Sequence, residues 1–392
     1  MLFDLHRLLR APQFQAKPLS ALFFAFTLHT LAISLVGIFV PLYILDLTGS
    51  FLYVLGYVGL YSLFIVFLAI PLGSMVERWG FRRSVFLSSI FHALIFFFLI
   101  QAVRDLRFLY LVALLEAAKI ILFWVPYHLI FIEDGDQKHF GSQVSVPGFL
   151  GRMVAVVAPF LGGVAISLYG FDFLFYLAVG VILLSAFPLF LMPSHQHQPF
   201  PGWRHILRNT FLPSYRRLFL SFWGIRSVVI VSGVAWPIFL FGLTGNSYRE
   251  LGLISSGVLL VSALTHLALG RFSDTHSQVK LLRSGSLLNG FMWIAKAFVV
   301  TPLAAFVVDS LNKLVDGLHT IPFDVLTYEQ ARGKKHPVEF VIRREILLHG
   351  GGVLTCALLA LVYYLGAPLP ALFGFAALGY WASVLLVSSA EE

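Results

Sequence analysis

Ionisable side chains stand inside long apolar runs of this sequence, where a charge is expensive and needs a reason. His29, Glu116, Lys119, Arg226, Asp309, Lys313, Asp316 and His319 all fall in such runs. A charge at the centre of hydrocarbon costs about 3 kcal/mol or more, so each is a functional candidate by default. Glu116 and Asp316 are carboxylates that can take up and release a proton as their surroundings change, which is what coupling to a proton gradient requires. Arg226 keeps its proton, so it reads as an anion binder or as a counter-charge to one of those carboxylates. At about 100° per residue on a helix, Asp309, Lys313 and Asp316 lie within roughly 60° of one another and form one polar stripe. Glu116, Phe123 and Tyr127 likewise share a face, directing a carboxylate, a ring and a hydroxyl into the same space. Plainer readings stand beside these. Glu116 and Lys119 are three apart and can neutralise each other, as can Lys313 between Asp309 and Asp316. Asp309 and Asp324 can also sit near opposite water interfaces, where charge is cheap. His92, His266 and Lys296 read as packing residues.

The elements that must position these groups follow from composition. Of 392 residues 59% are hydrophobic and 12% charged, and 40 are Phe; mean hydropathy is +0.88. A chain of this kind is an integral membrane protein. Crossing a bilayer core takes about 20 apolar residues, and twelve such spans can be placed, numbered here 1 to 12 in chain order. They cover 18–46, 52–73, 84–103, 107–132, 142–168, 171–192, 215–243, 250–270, 283–301, 303–326, 338–365 and 368–388. The alternating pattern of a membrane barrel is absent, so backbone groups must be satisfied within helices. No cleavable signal fits "MLFDLHRLLR"; with Leu2, Leu5 and Leu9 on one face, residues 1–17 are expected to lie as a short helix in the membrane interface.

Net charge is +8, but its distribution argues against a nucleic-acid partner. Lys and Arg gather at the N-terminus and in the even-to-odd connections, while only Arg104, Arg107 and Arg249 fall in connections on the other side. That asymmetry predicts both termini in the cytoplasm and suits anionic lipid headgroups. The single cysteine, Cys356, lies within span 11, so no intrachain disulfide forms. No metal site or cofactor is expected: the histidines lack ligand spacing, and "HQH" at 195–197 suits a linker. A phosphate loop, a dinucleotide loop and a nucleophile elbow are all missing, which argues against enzymatic catalysis.

An internal repeat organises the whole chain. "VPLYILDLTGSFLYVLG" at 40–56 aligns with "WPIFLFGLTGNSYRELG" at 236–252, matching Pro41 with Pro237, Gly49 with Gly245 and Gly56 with Gly252, all at a shift of 196. Pro126 and Pro322 follow at the same shift. Two six-helix bundles are therefore expected, 1–192 and 215–392, joined by the Pro- and His-rich linker 193–214. Parallel repeats around a central axis are the geometry of alternating access, with ligand held near the membrane midplane.

Between spans 2 and 3 stands "IPLGSMVERWGFRR", in which Gly73, Glu77, Arg78, Gly80, Arg82 and Arg83 resemble motif A of the major facilitator superfamily, with Glu in place of Asp and Phe81 inserted before the arginines. Its second-half copy "GRFSDTHSQVK" keeps Gly270, Asp274 and Lys280. The resemblance covers essentially the whole chain and implies an all-α fold of twelve transmembrane helices in two halves related by a pseudo-twofold axis. By the family's behaviour the motif acid latches onto the start of span 11, so Glu77 is expected to pair with Arg343 or Arg344, and Asp274 with the start of span 5 at Arg152. Snorkelling of both arginines to headgroups is the alternative. Ala158, Pro159, Gly162 and Gly163 resemble motif C of proton-driven exporters in the family, with Ala158 replacing a glycine. Spans 1, 4, 7 and 10 line the central cavity in that family. They are the spans that hold His29, Glu116, Lys119, Tyr127, Arg226, Asp309, Lys313, Asp316 and His319.

The expected protein is thus a monomeric secondary transporter of a bacterial-type inner membrane, whose partners are a small-molecule substrate, protons and lipids. Proton-coupled export of a small amphipathic organic molecule is the favoured activity. Proton symport for uptake of a nutrient or organic ion is the alternative, and a non-transporting sensor or assembly protein is a second.

Overall fold

The computed structural model describes residues 17–134, 153, 155–187, 202–210, 212, 215–331 and 337–388, and the regular elements among them are all helical. The predicted N-terminal interfacial helix and most of the first half of span 5 lie outside the described residues. Eight of the described helical stretches are long and apolar enough to cross a membrane. The helices of spans 8, 9 and 10 fall outside that group, and span 10 carries Asp309, Lys313, Asp316 and Asp324.

The sequence repeat is a repeat of shape. Span 1 runs as Lys17–Val36 and then, after a turn at residues 37–39, as Val40–Thr48. Span 7 runs as Arg216–Ile230, passes through one π turn at Val231–Ala235, and continues as Trp236–Leu243. In each, the second segment begins at the aligned proline, Pro41 or Pro237. Proline has no N–H and its ring crowds the carbonyl one turn back, so the helix must loosen ahead of it. Broken backbone at membrane depth is tolerated only inside protein, and Val36, Phe39, Val231 and Ala235 are all buried. Both segments then end at a glycine with φ of 63°, Gly49 and Gly245, the left-handed conformation that closes a helix.

Span 2 is Phe51–Trp79, span 3 Phe81–Ala102 and span 4 Phe108–Asp134. Ala158–Ala186 holds the described part of span 5 and span 6, divided at Gly170, whose φ of 81° and ψ of 177° are not helical. Helix Trp203–Thr210 lies in the predicted linker. Spans 8 to 11 are Tyr248–Thr275, Gln278–Lys296, Pro302–Ala331 and Pro337–Tyr364; span 12 comprises a 3-10 turn at Leu369–Leu372, Phe373–Ser383 and Leu385–Ser388.

Among the described residues the most extensive contacts between the halves are those of span 2 with span 11 and of span 5 with span 8. Small residues permit both approaches, since helices in lipid attract mainly through close packing. A Cβ on Gly73 would strike the Ile342 side chain, and one on Gly59 would sit 3.4 Å from Cys356 Cβ. In the other pair, a Cβ on Gly163 would strike the carbonyl of Tyr248, and one on Gly252 the carbonyl of Pro159. The Phe160 N–H donates to Ser256 Oγ across the same interface at 3.0 Å. The segment from Ala158 to Gly163 is therefore a contact surface between the halves, and Gly162 serves it by letting the span lie on the Leu35 carbonyl of span 1.

Apolar side chains of both halves gather in two clusters, one including Phe39, Phe175, Trp236 and Phe373, the other Ile121, Phe222, Phe323 and Ile342. Tyr61 and Ile225 touch both, which places them in the layer between.

Overpacking a close backbone contact costs about 1–3 kcal/mol because nothing can move aside. Gly252→Val is expected to lower the thermal unfolding midpoint in detergent by several degrees, whereas Gly350→Ala, with open space around its Cβ position, leaves the midpoint unchanged or raised.

Candidate functional site

The most deeply buried charge is one that sequence reading set aside. Lys296 of span 9 is 1% exposed, and its ammonium meets Asp309 Oδ1 at 2.7 Å and Asn312 Oδ1 at 2.8 Å on span 10. Trp236 of span 7 donates its indole N–H to Asp309 Oδ2 at 3.1 Å. Lys296 also lies 3.9 Å from the centre of the Trp293 ring and 4.7 Å from that of Trp236. Asn312 donates to Asn289, which donates to the Gly285 and Val315 carbonyls. Every ammonium or carboxylate group here has partners, so this cluster reads as the polar joint of the C-terminal half. Asp309 is 7% exposed, so protein groups rather than water balance its charge.

The layer between the apolar clusters holds the other expected charges. Lys119 and Glu116 on span 4 form an ion pair of 2.6 Å. Behind them His29 of span 1 stacks on Phe123 with centroids 4.1 Å apart, and His92 of span 3 meets His29 edge-on at 5.2 Å. His92 therefore belongs to the same group as His29. Tyr127 lies parallel to Phe123 at 6.4 Å, extending the aromatic face predicted for span 4. From the other half Arg226 reaches across and donates to the Tyr61 hydroxyl of span 2 at 2.9 Å. Glu116 and Arg226 both act electrostatically on that hydroxyl, so the two halves face each other here through charge.

On the side of the Gly80 corner, a second polar network crosses between the halves. Arg344 donates to His128 Nε2 at 3.1 Å, and His128 Nδ1 lies 2.7 Å from the Tyr328 hydroxyl. An arginine can only donate, so Nε2 accepts, and the neutral ring carries its proton on Nδ1, which donates to Tyr328. Arg344 also meets Glu345 at 2.5 Å, and Glu345 lies 3.6 Å from His349 one turn on. Arg343 is held by Glu339 and by the Tyr215 hydroxyl at 2.8 Å, and His205 of the linker helix comes within 3.4 Å of Glu339. Both arginines expected to receive Glu77 are thus engaged by carboxylates of their own helix. Because Gly73 packs on Ile342, the Glu77 corner still runs beside them. Gly80 has a φ of 78°, Arg78 and Arg83 are exposed, and Glu77 and Arg82 are half-buried. The expected contact of Asp274 with Arg152, and the surroundings of Gly270, fall outside the described residues.

On span 10, Lys313 comes within 4.0 Å of Asp316, which also accepts from Tyr380 of span 12 at 2.7 Å. His319 is fully buried, its Nε2 2.8 Å from Ser383 Oγ. The polar stripe predicted for span 10 consequently divides, with Asp309 facing span 9, and Asp316 and His319 facing span 12. Sequence reading missed Lys296, His128, Glu345 and His349. A signal existed for two of them: Glu345 and His349 are four apart on one helix face.

A family model described as the Major Facilitator Superfamily matches residues 22–336. No curated relative matches the chain in sequence. Among solved structures, the Escherichia coli fucose:proton symporter FucP superimposes with a TM-score of 0.68 at 12% identity, covering 96% of this chain and 100% of that one. A second structure of FucP, in the outward conformation, gives 0.68 at 12%, covering 96% and 99%. The human organic anion transporter MFSD10 gives 0.69 at 14%, covering 97% and 99%.

Removing one member of a buried pair strands the other at a cost of about 3–5 kcal/mol, while replacing both with apolar groups is often neutral. Asp309→Asn should therefore sharply lower the unfolding midpoint, and Lys296→Met combined with Asp309→Leu should recover most of the loss, as thermal melts of the purified variants would show.

Proposed function

Because this chain belongs to the major facilitator superfamily and is a membrane transporter of that fold, we propose that it exports a small amphipathic organic molecule in exchange for protons, by alternating access. The observation that carries this reading is the polar layer of Glu116, Lys119, Tyr61 and Arg226, contributed by both halves and enclosed by an apolar cluster on either side. A ligand held there touches both halves, and rocking them about it exposes it to one side and then the other.

Glu116 is the proton carrier in this account. Its side chain is 20% exposed and is bound to one lysine; protonation removes that attraction and frees Lys119 to reorient. Asp316, tied to Tyr380, is the second candidate. Opening on the Gly80 side requires that Arg344 and His128 separate, and with them Tyr328. Glu77 then stabilises the closed state by lying against the start of span 11, the latch role its motif suggests. Export is supported by the resemblance of Ala158, Pro159, Gly162 and Gly163 to motif C, while the backbone contact that Pro159 and Gly163 make between spans 5 and 8 would serve an uptake protein as well. The basic bias of the connections supports a cytoplasmic Gly80 corner and cytoplasmic termini, and an inner-membrane monomer belongs to the same reading. FucP, named as a proton symporter, shares the fold and lends support to proton coupling.

The test is transport in proteoliposomes bearing a pH-sensitive dye and an imposed pH gradient. Wild type is expected to drive an amphipathic compound against its gradient with opposed proton movement, and Glu116→Gln to abolish proton movement while retaining downhill exchange. Proton movement in the same direction as substrate would replace export with symport. In a Cys356→Ala background, joining cysteines placed at His128 and Tyr328 with a short thiol cross-linker should stop transport, and cleaving the linker should restore it.

A further inference from the structure

Among the described residues, Lys119, Lys296 and Arg343 are buried cations that each lie within salt-bridge reach of a carboxylate, from Glu116, Asp309 and Glu339 respectively. Arg226 is equally buried, at 7% exposure, and its hydrogen-bond partner is a neutral hydroxyl, that of Tyr61. Its Nε has no partner at all. One further polar atom beside it is in the same condition. Ser62 Oγ, fully buried on span 2, lacks a hydrogen-bond partner. Buried polar atoms are paired in the great majority of proteins, so two orphans beside a cation with no carboxylate of its own mark a place suited to a further polar group.

Their placement is shared as well. Gly352 of span 11 has no side chain, which lets the Arg226 and Ser62 side chains pack directly against its backbone. A Cβ at Gly352 would lie 3.2 Å from Arg226 Nε and 3.2 Å from Ser62 Oγ. The guanidinium of one half and the hydroxyl of the other therefore converge on that point. Charge completes the case. Arg226 and Lys119 bring two positive charges to the middle layer, where Glu116 brings one negative charge and already holds Lys119 at 2.6 Å. One cation is left over, in a medium where an unpaired charge is costly.

We propose that Arg226, with Ser62 beside it at Gly352, docks a carboxylate of the transported molecule, so that the substrate is an organic anion. This inference rests on the transporter reading above and narrows its substrate class. The planar guanidinium offers a carboxylate parallel donors, and the serine hydroxyl donates from the N-terminal half. A ligand carboxylate here neutralises the spare charge, and because its donors come from spans 2 and 7 it is gripped by both halves at once.

The experiment uses the full chain in detergent and in proteoliposomes, with benzoate and naphthoate set against benzylamine and benzamide. Thermal unfolding of wild type should be raised by the two carboxylates and not by the amine or the amide. Arg226→Gln should weaken carboxylate binding at least tenfold, with Arg226→Lys retaining part of it. Gly352→Ala, which leaves every charge in place, should also weaken carboxylate binding, and its melt without ligand shows that it folds. Stabilisation by benzylamine equal to that by benzoate, or carboxylate binding untouched in both Arg226→Gln and Gly352→Ala, would overturn the inference. Proton-linked movement of benzylamine or benzamide, with none of either carboxylate, would overturn it while leaving the transporter reading intact. If no compound of any charge binds or moves, both fall.

Discussion

Lys296 and Asp309 meet at 2.7 Å in surroundings that expose almost nothing of the lysine, and the need they answer governs the rest of the molecule. In hydrocarbon no water is at hand to solvate a stranded charge, so a buried cation must bring a carboxylate, a carbonyl or an aromatic face with it. Lys296 uses two rings, an amide and a carboxylate. Arg343 and Arg344 each take a glutamate from their own helix. Such pairing lets spans 10 and 11 carry so much charge and still remain within the bundle.

The same need gives the middle of the molecule its character. Backbone contacts at Gly163 and Gly252, and the seat of Gly73 on Ile342, bring the halves so close that apolar side chains interlock on both sides of a thin polar layer. That layer is where charge balance fails by one, at Arg226. Interlocked apolar surfaces favour discrete packings over continuous deformation, so the halves are suited to rocking between closed arrangements. The His128, Tyr328 and Arg344 network ties the halves together on the side of the Gly80 corner. Its geometry depends on a neutral imidazole accepting from an arginine.

Hydropathy marked out most of the spans, and the 196-residue repeat aligned Pro41 with Pro237 and Gly49 with Gly245, positions at which the structure then shows paired interruptions and left-handed glycines. Hydropathy cannot say how a span is rotated about its axis, however. Asp309, Lys313 and Asp316 do share a stripe, yet a few tens of degrees separate a residue that faces Lys296 from one that faces Tyr380. Lys296 was opaque for a related reason: its partner lies 13 positions on, across a helix hairpin, where no helical period connects them. Arg226 stood out as a charge within a span, but its convergence with Ser62 and Gly352 was illegible, since three distant spans meet there and the other two contribute ordinary residue types.

The central claim is that the halves rock about the Arg226 layer, opening one side as they close the other. It is tested most directly by measuring distances between spin labels by pulsed electron resonance, with Cys356 replaced by Ala. One label pair would stand at Arg83 and Lys280, across the halves beside the Gly80 corner, and the other at Arg104 and Val300 on the opposite side; all four positions are exposed. The account predicts opposite changes when pH or ligand is varied, the first distance lengthening as the second shortens. Distances that stay fixed, or that lengthen together, would contradict it.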